Sequence, residues 1–547
     1  MSEAQRIPHE MGDASEAQPP ENESLRDPEE FLAQVQVTLG ELIDEFLRVQ
    51  LLSDALSLSW VAFRSMELCR AVCVAFVQAW ARLLEQAAVE VGQICPECGK
   101  KRKICWRENQ PLWVDLLCGR LCIGKPYLRC GAKDCSGSPL SVTRLLSGLR
   151  SGDSGLILKL QAARQGAEES YGKSARSLQE HPLGAQLERG KLRRLAIEVE
   201  DQAVEYREQQ RRQNSKPDRL PDAGVPVLVL EGDGGAVRVG TYETLGPGKK
   251  GKQEHTPVRK LPRRRRPAEY REVITLDVRQ PKEKSASALD VLMPATAPPE
   301  ERQRLMRALA RRKGLGADTE IYGLGDMGSK LAQAFEQAFA EHSGFWQADE
   351  KHTRDYLRAV VGVLEGLDGE QWKKALWEAI LERNEAQCHA LLEQAQRHRV
   401  ATLPASFTRC PVHALATYLH NNWEHMRFKE MKERGLPVVS ARAESQVRDR
   451  TKARFSVAGA WGLENVEPKA ILRSIIAEGS FAFFTEWLYQ KEQATFAQGL
   501  KERVEQAVEE RRLDAKAATL LTGIETTLAD LLGFRNSTPG QRLKKVA

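Results

Sequence analysis

Apolar positions along this chain follow two periods, and the change from one to the other marks its parts. From Phe31 to about Val91, and again from Gly155 to Gln210, they recur three and four apart, the spacing of one helix face. The middle of the chain is different. The run Val225 to Leu230 is short, β-branched and leucine-rich, and it is followed by Glu231-Gly232-Asp233-Gly234-Gly235 and a second run, AVRVG. That pattern predicts a β-hairpin with Asp233 at its tip. YREVITLDV, from Tyr270 to Val278, supplies a third strand, PPEERQRLMRALARR a helix, TEIYGLGD a strand that stops at Asp326, and LAQAFEQAF another helix. Three strands, helix, strand, helix predicts a mixed sheet flanked by helices, with Asp233 and Asp326 leaving the ends of two strands. LDGEQWKKALWEAILERNEAQCHALLEQAQRHR then reads as a helical insertion, since the stretch up to Glu444 is too long for a simple loop.

Glu444, in SARAESQVRDR, opens a basic helix in which Arg448, Arg450, Lys452 and Arg454 follow at two-residue intervals, Arg448 one turn away. Two Asp and one Glu are a minimum protein contribution to magnesium, which takes oxygen ligands and binds through one or two carboxylates together with substrate phosphate. Two such ions about 3.5–4 Å apart serve an in-line displacement at phosphorus. The plainer readings are turn chemistry for the Asp-Gly pair at Asp233 and a solvated Glu-Arg pair at Glu444. Asp349, in Asp349-Glu350-Lys351-His352, competes for the second acid, which goes to Asp326 because Asp326 directly ends a strand. Glu231, two residues before Asp233 on the same strand face, is a decoy for it. His352 takes a supporting role near the second Asp, because imidazole suits zinc better than magnesium.

Cys95-Pro-Glu-Cys98-Gly is a zinc-knuckle sequence, and Cys130 and Cys135 offer a second close pair, which together suit a tetrahedral structural zinc. Cys118 and Cys122 form a competing pair. Eleven cysteines, an odd number, in a chain showing no signal peptide point to a reducing, cytoplasmic interior. The most apolar stretch, LSWVAFRSMELCRAVCVAFVQAW, is interrupted by Arg64, Glu67 and Arg70 and reads as a packing helix, not a membrane span.

A net charge of +6 is modest, so its distribution matters more. Lys249, Lys250, Lys252, Arg259, Lys260, Arg263, Arg264, Arg265 and Arg266 face one acid, Glu254, in a loop between the second and third strands. Glycine and proline oppose regular structure there, and the charge suits salt-sensitive contacts with DNA phosphates. SYGKSARSLQEHPLGAQLERGKLRRLAIEVE reads as helix, turn, helix. It fits a DNA reader with Gln186, Lys191, Arg193 and Arg194 near the groove, or an ordinary helical hairpin.

These readings divide the chain into a disordered tail (1–28), an N-terminal helical region (29–92), a zinc-ribbon-like domain (93–140) and a helical segment (141–218). A catalytic core follows in two parts, 219–365 and 436–490, around the helical insertion 366–435, with a helical tail at 491–547.

Gly435-Leu436-Pro437, Ser440, Glu444, Arg454, Gly459, Trp461 and Leu472-Arg473 form a block that resembles bacterial insertion-sequence DDE transposases of the Kra and Lre groups, distantly similar to Mutator-like transposases. Asp233-Gly234, Gly325-Asp326 and Asp349-x-x-His352 match further motifs of that family, and the likeness runs from about residue 95 to about residue 487. Gly-Asp-Met-Gly stands where the family tends to show Gly-Asp-Gly-Ala, and Val439-Ser440-Ala441 where it shows Gly-Ser-Gly; all three acids remain. The resemblance implies a multidomain α+β protein: a ribonuclease-H-like mixed α/β catalytic core with an all-helical insertion, preceded by a zinc ribbon and helical DNA-binding modules. It implies Asp233, Asp326 and Glu444 as catalytic acids holding two magnesium or manganese ions, with Asp349, His352, Arg448, Arg454 and Trp461 in support. Implied partners are double-stranded DNA, as transposon ends and target, and further copies of the chain, in the bacterial cytoplasm at the nucleoid. The expected reaction is hydrolysis at a transposon end and attack of the freed 3′-hydroxyl on target DNA, both steps depending on positioning and charge stabilisation. The rivals are a nonenzymatic DNA-binding protein derived from a transposase and a nuclease of the same fold that joins no strands.

Overall fold

The computed structural model describes residues 93–106, 112–123, 126–137, 139–141, 152–180, 187–215, 220–240, 268–283, 288–293, 298–400, 409–455 and 461–513, with single positions 37, 40, 145, 148, 150, 185 and 518. The tail at 1–28 and the basic run from Lys249 to Arg266 lie outside the described residues, as does Gln186. The chain divides into two compact units that do not follow chain order. One is Met1–Leu158, Ser177–Gln186 and Lys491–Ala547; the other is Lys159–Arg176 and Leu187–Gln490.

In the first unit β1 (Arg102–Trp106), β2 (Leu112–Leu116), β3 (Gly119–Ile123), β4 (Pro126–Cys130), β5 (Leu140–Ser141) and β6 (Asp153–Ser154) form two three-stranded sheets, β1-β4-β5 and β3-β2-β6. Leu128 and Leu140 bury against Leu500, Val504, Ala507 and Leu513 from the C-terminal part of the chain. The Arg102 guanidinium fastens that packing by donating to the Arg512 carbonyl at 2.7 Å.

Three helices come next, α1 (Leu156–Glu168), α2 (Tyr171–Glu180) and α3 (Arg189–Ser215). The second unit is then built on β7 (Val227–Gly240), β8 (Ala268–Arg279), β9 (Ala288–Leu292), β10 (Glu320–Gly325) and β11 (Gly344–Ala348), one mixed sheet in the order β11-β10-β7-β8-β9. β7, β8 and β9 run antiparallel, whereas β10 runs parallel to β7 and β11 parallel to β10. The parallel steps need crossovers, supplied by α4 (Pro299–Arg312) and α5 (Leu331–Ala338). Alternation along the strands sends Leu228, Leu230, Ile274, Leu276 and Val278 to the face covered by Leu305, Leu309, Leu331 and Phe335 of those helices. Trp346 of β11 lies flat on this face because Gly323 beside it has no Cβ; one added there would stand 2.3 Å from the Trp346 ring.

The other face carries Val229, Tyr322 and Leu324, packed with Leu357, Trp372, Leu376, Leu415 and Phe428. These come from α6 (Glu350–Val361) and from α7 (Gly369–Leu381), α9 (Pro411–Asn422) and α10 (Phe428–Glu433); α8 (Glu385–Arg397) adds Leu392 to the same cluster, and α7 to α10 occupy the insertion. The chain returns to the sheet as α11 (Ala441–Gln446), a π-helical turn at Val447–Lys452, α12 (Ala453–Phe455), α13 (Val466–Ala477) and α14 (Phe481–Glu509). α3 lies against α13 and α4, burying Leu192, Leu195, Ala196 and Val199 while Arg193 and Arg194 stay exposed. Its far end is tied down by Arg211, which grips both Asp290 oxygens at 2.9 Å.

Two expectations need correction. Glu231 to Gly235 is not a hairpin tip: β7 runs unbroken through it, with Asp233 paired to Thr275 of β8. A full ladder of partners along β8 outweighs the turn preference of an Asp-Gly pair, which is a local bias only. The chain also adds β9 and β11, strands absent from the sequence reading, and β11 makes Asp349 as well as Asp326 directly follow a strand. No helix among the described residues is long and apolar enough to cross a membrane.

Candidate functional site

Sheet register assembles the acids. Gly325 of β10 pairs with Gly232 of β7 on one side and with Ala348 of β11 on the other. The next residue on each of these parallel strands is Asp233, Asp326 or Asp349, so three carboxylates come to one end of the sheet in adjacent positions.

Glu444 reaches the same place from α11, and the segment before it is stitched to the strand ends at four points. Tyr322 Oη donates to the Pro437 carbonyl at 2.7 Å, and the Glu350 amide donates to the Val438 carbonyl at 2.8 Å. Ser440 donates to Asp349 Oδ2 through its amide at 2.5 Å and its hydroxyl at 2.6 Å. The Ala443 amide donates to Glu231 Oε2 at 3.1 Å, and Arg279 holds the other oxygen of Glu231. Glu231 is thereby a buried strut, not a free acid. The π-helical turn seats on β7 where Gly235 leaves room: a Cβ there would meet Val447 Cγ1 at 2.8 Å.

Asp349, His352 and Glu444 bring their ligand atoms within 4.8 Å of one another. Within that group the roles differ. Asp349 is fully buried, and it accepts from the His352 amide at 2.9 Å as the N-cap of α6 while holding Ser440. Burial opposes its charge, but these hydrogen bonds from His352 and Ser440 prevail and hold the acid at about 2. The Asp349 carboxylate in turn pushes the His352 imidazole up to about 9, with Nδ1 at 3.5 Å from Oδ1. Both Asp349 oxygens thus serve the fold. Ending a strand does not separate Asp326 from Asp349; their hydrogen bonding differs, since Asp349 clasps His352 and Ser440 while Asp326 accepts from the Gly328 amide at 3.2 Å.

Asp233 is half-buried. Burial raises its acid above the ordinary carboxylate value, the Gly234 amide and His352 oppose that, and the nearby Glu444 charge adds to it. Glu272 on β8, missed in the sequence, is raised by burial and feels both Asp233 and Asp326. Around these groups Glu444 Oε1, Thr275 Oγ1 and Thr451 Oγ1 are buried with no hydrogen-bond partner among the described residues. Crowded carboxylates beside unmet oxygen acceptors are the donor set of a hard, hydrated divalent cation, so the residues fit magnesium or manganese.

Arg448 is exposed and pairs with Asp449 and Ser445. Arg454 is buried, lies 4.5 Å over the Trp461 ring and donates to the Gly166 carbonyl. Trp461 donates its amide to the Arg238 carbonyl at the far end of β7. Arg454 and Trp461 therefore brace the segment that carries Glu444.

The second candidate site is the cysteine cluster of the first unit. Cys95, Cys98, Cys130 and Cys135 place four Sγ atoms within 4.8 Å of one another, with Cys95 and Cys135 3.6 Å apart and Cys98 and Cys130 3.4 Å apart. A tetrahedron with metal–sulfur bonds of about 2.3 Å has edges of about 3.8 Å, so four thiolates here fit one ion. Cys118 is buried outside the group.

No protein-family model matches this chain. No curated protein matches it either. Among solved structures it is similar to a chain of the Drosophila P element transposase strand transfer complex, 11% identical over 70% of this chain and 94% of that one, with a TM-score of 0.24. A likeness of that degree carries no argument for fold or activity, which rest on the residues themselves.

Proposed function

We propose that the protein is a DDE-type DNA transposase of the kind found in the Kra and Lre insertion-sequence groups. It would cut phosphodiester bonds at transposon ends and join the 3′-hydroxyl to target DNA. The observation that carries this reading is the strand register that sets Asp233 beside Asp326, with Glu444 delivered to the same place by a separately anchored helix. A sheet of three antiparallel strands followed by two parallel ones supports a ribonuclease-H-like core.

Asp233, Asp326 and Glu444 would hold two magnesium or manganese ions, and His352 would balance the excess negative charge at the edge of the site. Bound there, divalent ions polarise phosphoryl oxygens and favour in-line attack. Asp349 positions His352 and Ser440. Cys95, Cys98, Cys130 and Cys135 would hold a structural zinc, and that module with the helical segments before the core would read double-stranded end DNA. Pairing two ends calls for a homo-oligomer, acting in the bacterial cytoplasm at the nucleoid.

The test is purified protein with magnesium and DNA made from the sequences that flank its gene, where terminal inverted repeats are expected. Cleavage and joining are expected, while Asp233→Asn, Asp326→Asn and Glu444→Gln each abolish both steps and keep DNA binding. Cleavage without joining would make the protein a nuclease, and full strand transfer by any one variant would remove that residue from the site.

A further inference from the structure

Lys351 stands in the first turn of α6, between the acidic strand ends and His352, and its ammonium is hydrogen-bonded to Glu444 Oε2. Glu444 Oε1, on the same carboxylate, is buried with no hydrogen-bond partner among the described residues, and the carboxylate belongs to the group formed with Asp349 and His352. One oxygen is therefore neutralised by a lysine, and the other has no hydrogen-bond partner among the described residues. The two sides of this pair differ in freedom. The Lys351 side chain is 48% exposed, whereas that of Glu444 is 24% exposed. An ammonium on a flexible four-carbon stem leaves such a contact without any repacking of its neighbours. Arg454 and Lys469 cannot do this, because both are buried and fixed on the Gly166 carbonyl.

We propose that Lys351 is a positioning residue that occupies the cation place on Glu444 and is displaced when a divalent ion is taken up. The idea rests on the metal-dependent reading of the site given above. Without a counter-charge, the Glu444 carboxylate would be turned away by the like charge of the nearby Asp233. Lys351 holds the glutamate at the strand ends, then yields it. The cost of that order is competition, since every ion that binds must break the Lys351 contact. An exposed pair is weak, so the competition is modest and reversible.

The test is binding of Mn2+ alone to the full-length protein, by calorimetry or electron paramagnetic resonance, with strand transfer left out. Lys351→Met is expected to lower the apparent Kd for Mn2+ about two- to fivefold, the scale of an exposed ion pair, and Lys351→Arg to keep the wild-type value. Lys452→Met removes a positive charge from the neighbourhood of Asp233 without touching Glu444, and a smaller change is expected. An unchanged or raised Kd in Lys351→Met would overturn the proposal, as would equal tightening in Lys452→Met, which would reduce the effect to general charge. Failure of the underlying metal reading looks different: Asp233→Asn and Glu444→Gln would then leave Mn2+ binding at the wild-type level.

Discussion

Asp349 and Asp326 follow neighbouring strands, and one substitution tells a clip from a ligand. Asp349→Asn keeps the size of the side chain but replaces one accepting oxygen with a donor, and Ser440 needs two acceptors' worth of bonding at that point. The carboxyl lies at about 2 against an ordinary 3.8, a difference worth about 2–3 kcal/mol by the proportion between proton affinity and free energy. A buried Ser440 amide left facing an amide nitrogen costs about 1–3 kcal/mol by a separate route that overlaps the first. The variant should therefore lose about 2–4 kcal/mol at neutral pH. Because the folded value lies below the unfolded one, this stabilisation is complete above 3.8 and is lost as pH falls through about 2. Urea titrations followed by tryptophan fluorescence should show a constant gap between wild type and variant from pH 7 down to about 5, narrowing in stronger acid. If Asp349 were the metal ligand, removing its charge would relieve repulsion among Asp233, Asp326 and Glu444. An unchanged or raised urea midpoint, together with lost Mn2+ binding, would refute the clip.

Two further outcomes follow from the packing and the cysteine cluster. Purified protein should carry about one zinc per chain by the four-thiolate rule, and Cys98→Ser should lower that content by more than half; wild-type protein with no zinc after gentle purification would sink the assignment. Gly235→Ala places a methyl group 2.8 Å from Val447 Cγ1 and 3.1 Å from Thr451 Cγ2, so it should cost about 1–3 kcal/mol of overpacking and reduce strand transfer more than DNA binding. Equal stability and full joining in that variant would show that the glutamate segment does not depend on its seat on β7.

The sequence made the strand from Tyr270, the helix after Pro299, the strand that Asp326 ends and the helix after it legible, since their periods are clear, but it passed over Ala288–Leu292, too short a run to show a period. It misread Glu231 to Gly235 because turn preference is local, whereas the ladder that keeps Asp233 inside β7 is supplied by residues from Ala268 to Arg279. It missed Gly344–Ala348 because five residues with one charge-free run carry too little pattern to distinguish strand from loop. Missing that strand made Asp349 look less suitable than Asp326 for a reason that does not hold. Pairing of Ser440 with Asp349, and of Ala443 with Glu231, joins residues far apart in the chain, and no periodicity encodes such contacts. The cysteine grouping, by contrast, was readable from spacing alone.

The stitches at Pro437, Val438, Ser440 and Ala443 have a bearing on how such a protein can change. Each fixes the approach to Glu444 using residues of the sheet or of the first turn of α6. None comes from the helices that occupy the insertion. The stretch between Gly362 and Gly435 acts on the glutamate only indirectly, by covering the sheet face of Val229, Tyr322 and Leu324 and by bonds such as Arg427 to Gln347 and Arg434 to Glu320. Its outward side is therefore the part open to change in length and surface, while its inward apolar side must keep covering the strands from which the acids leave.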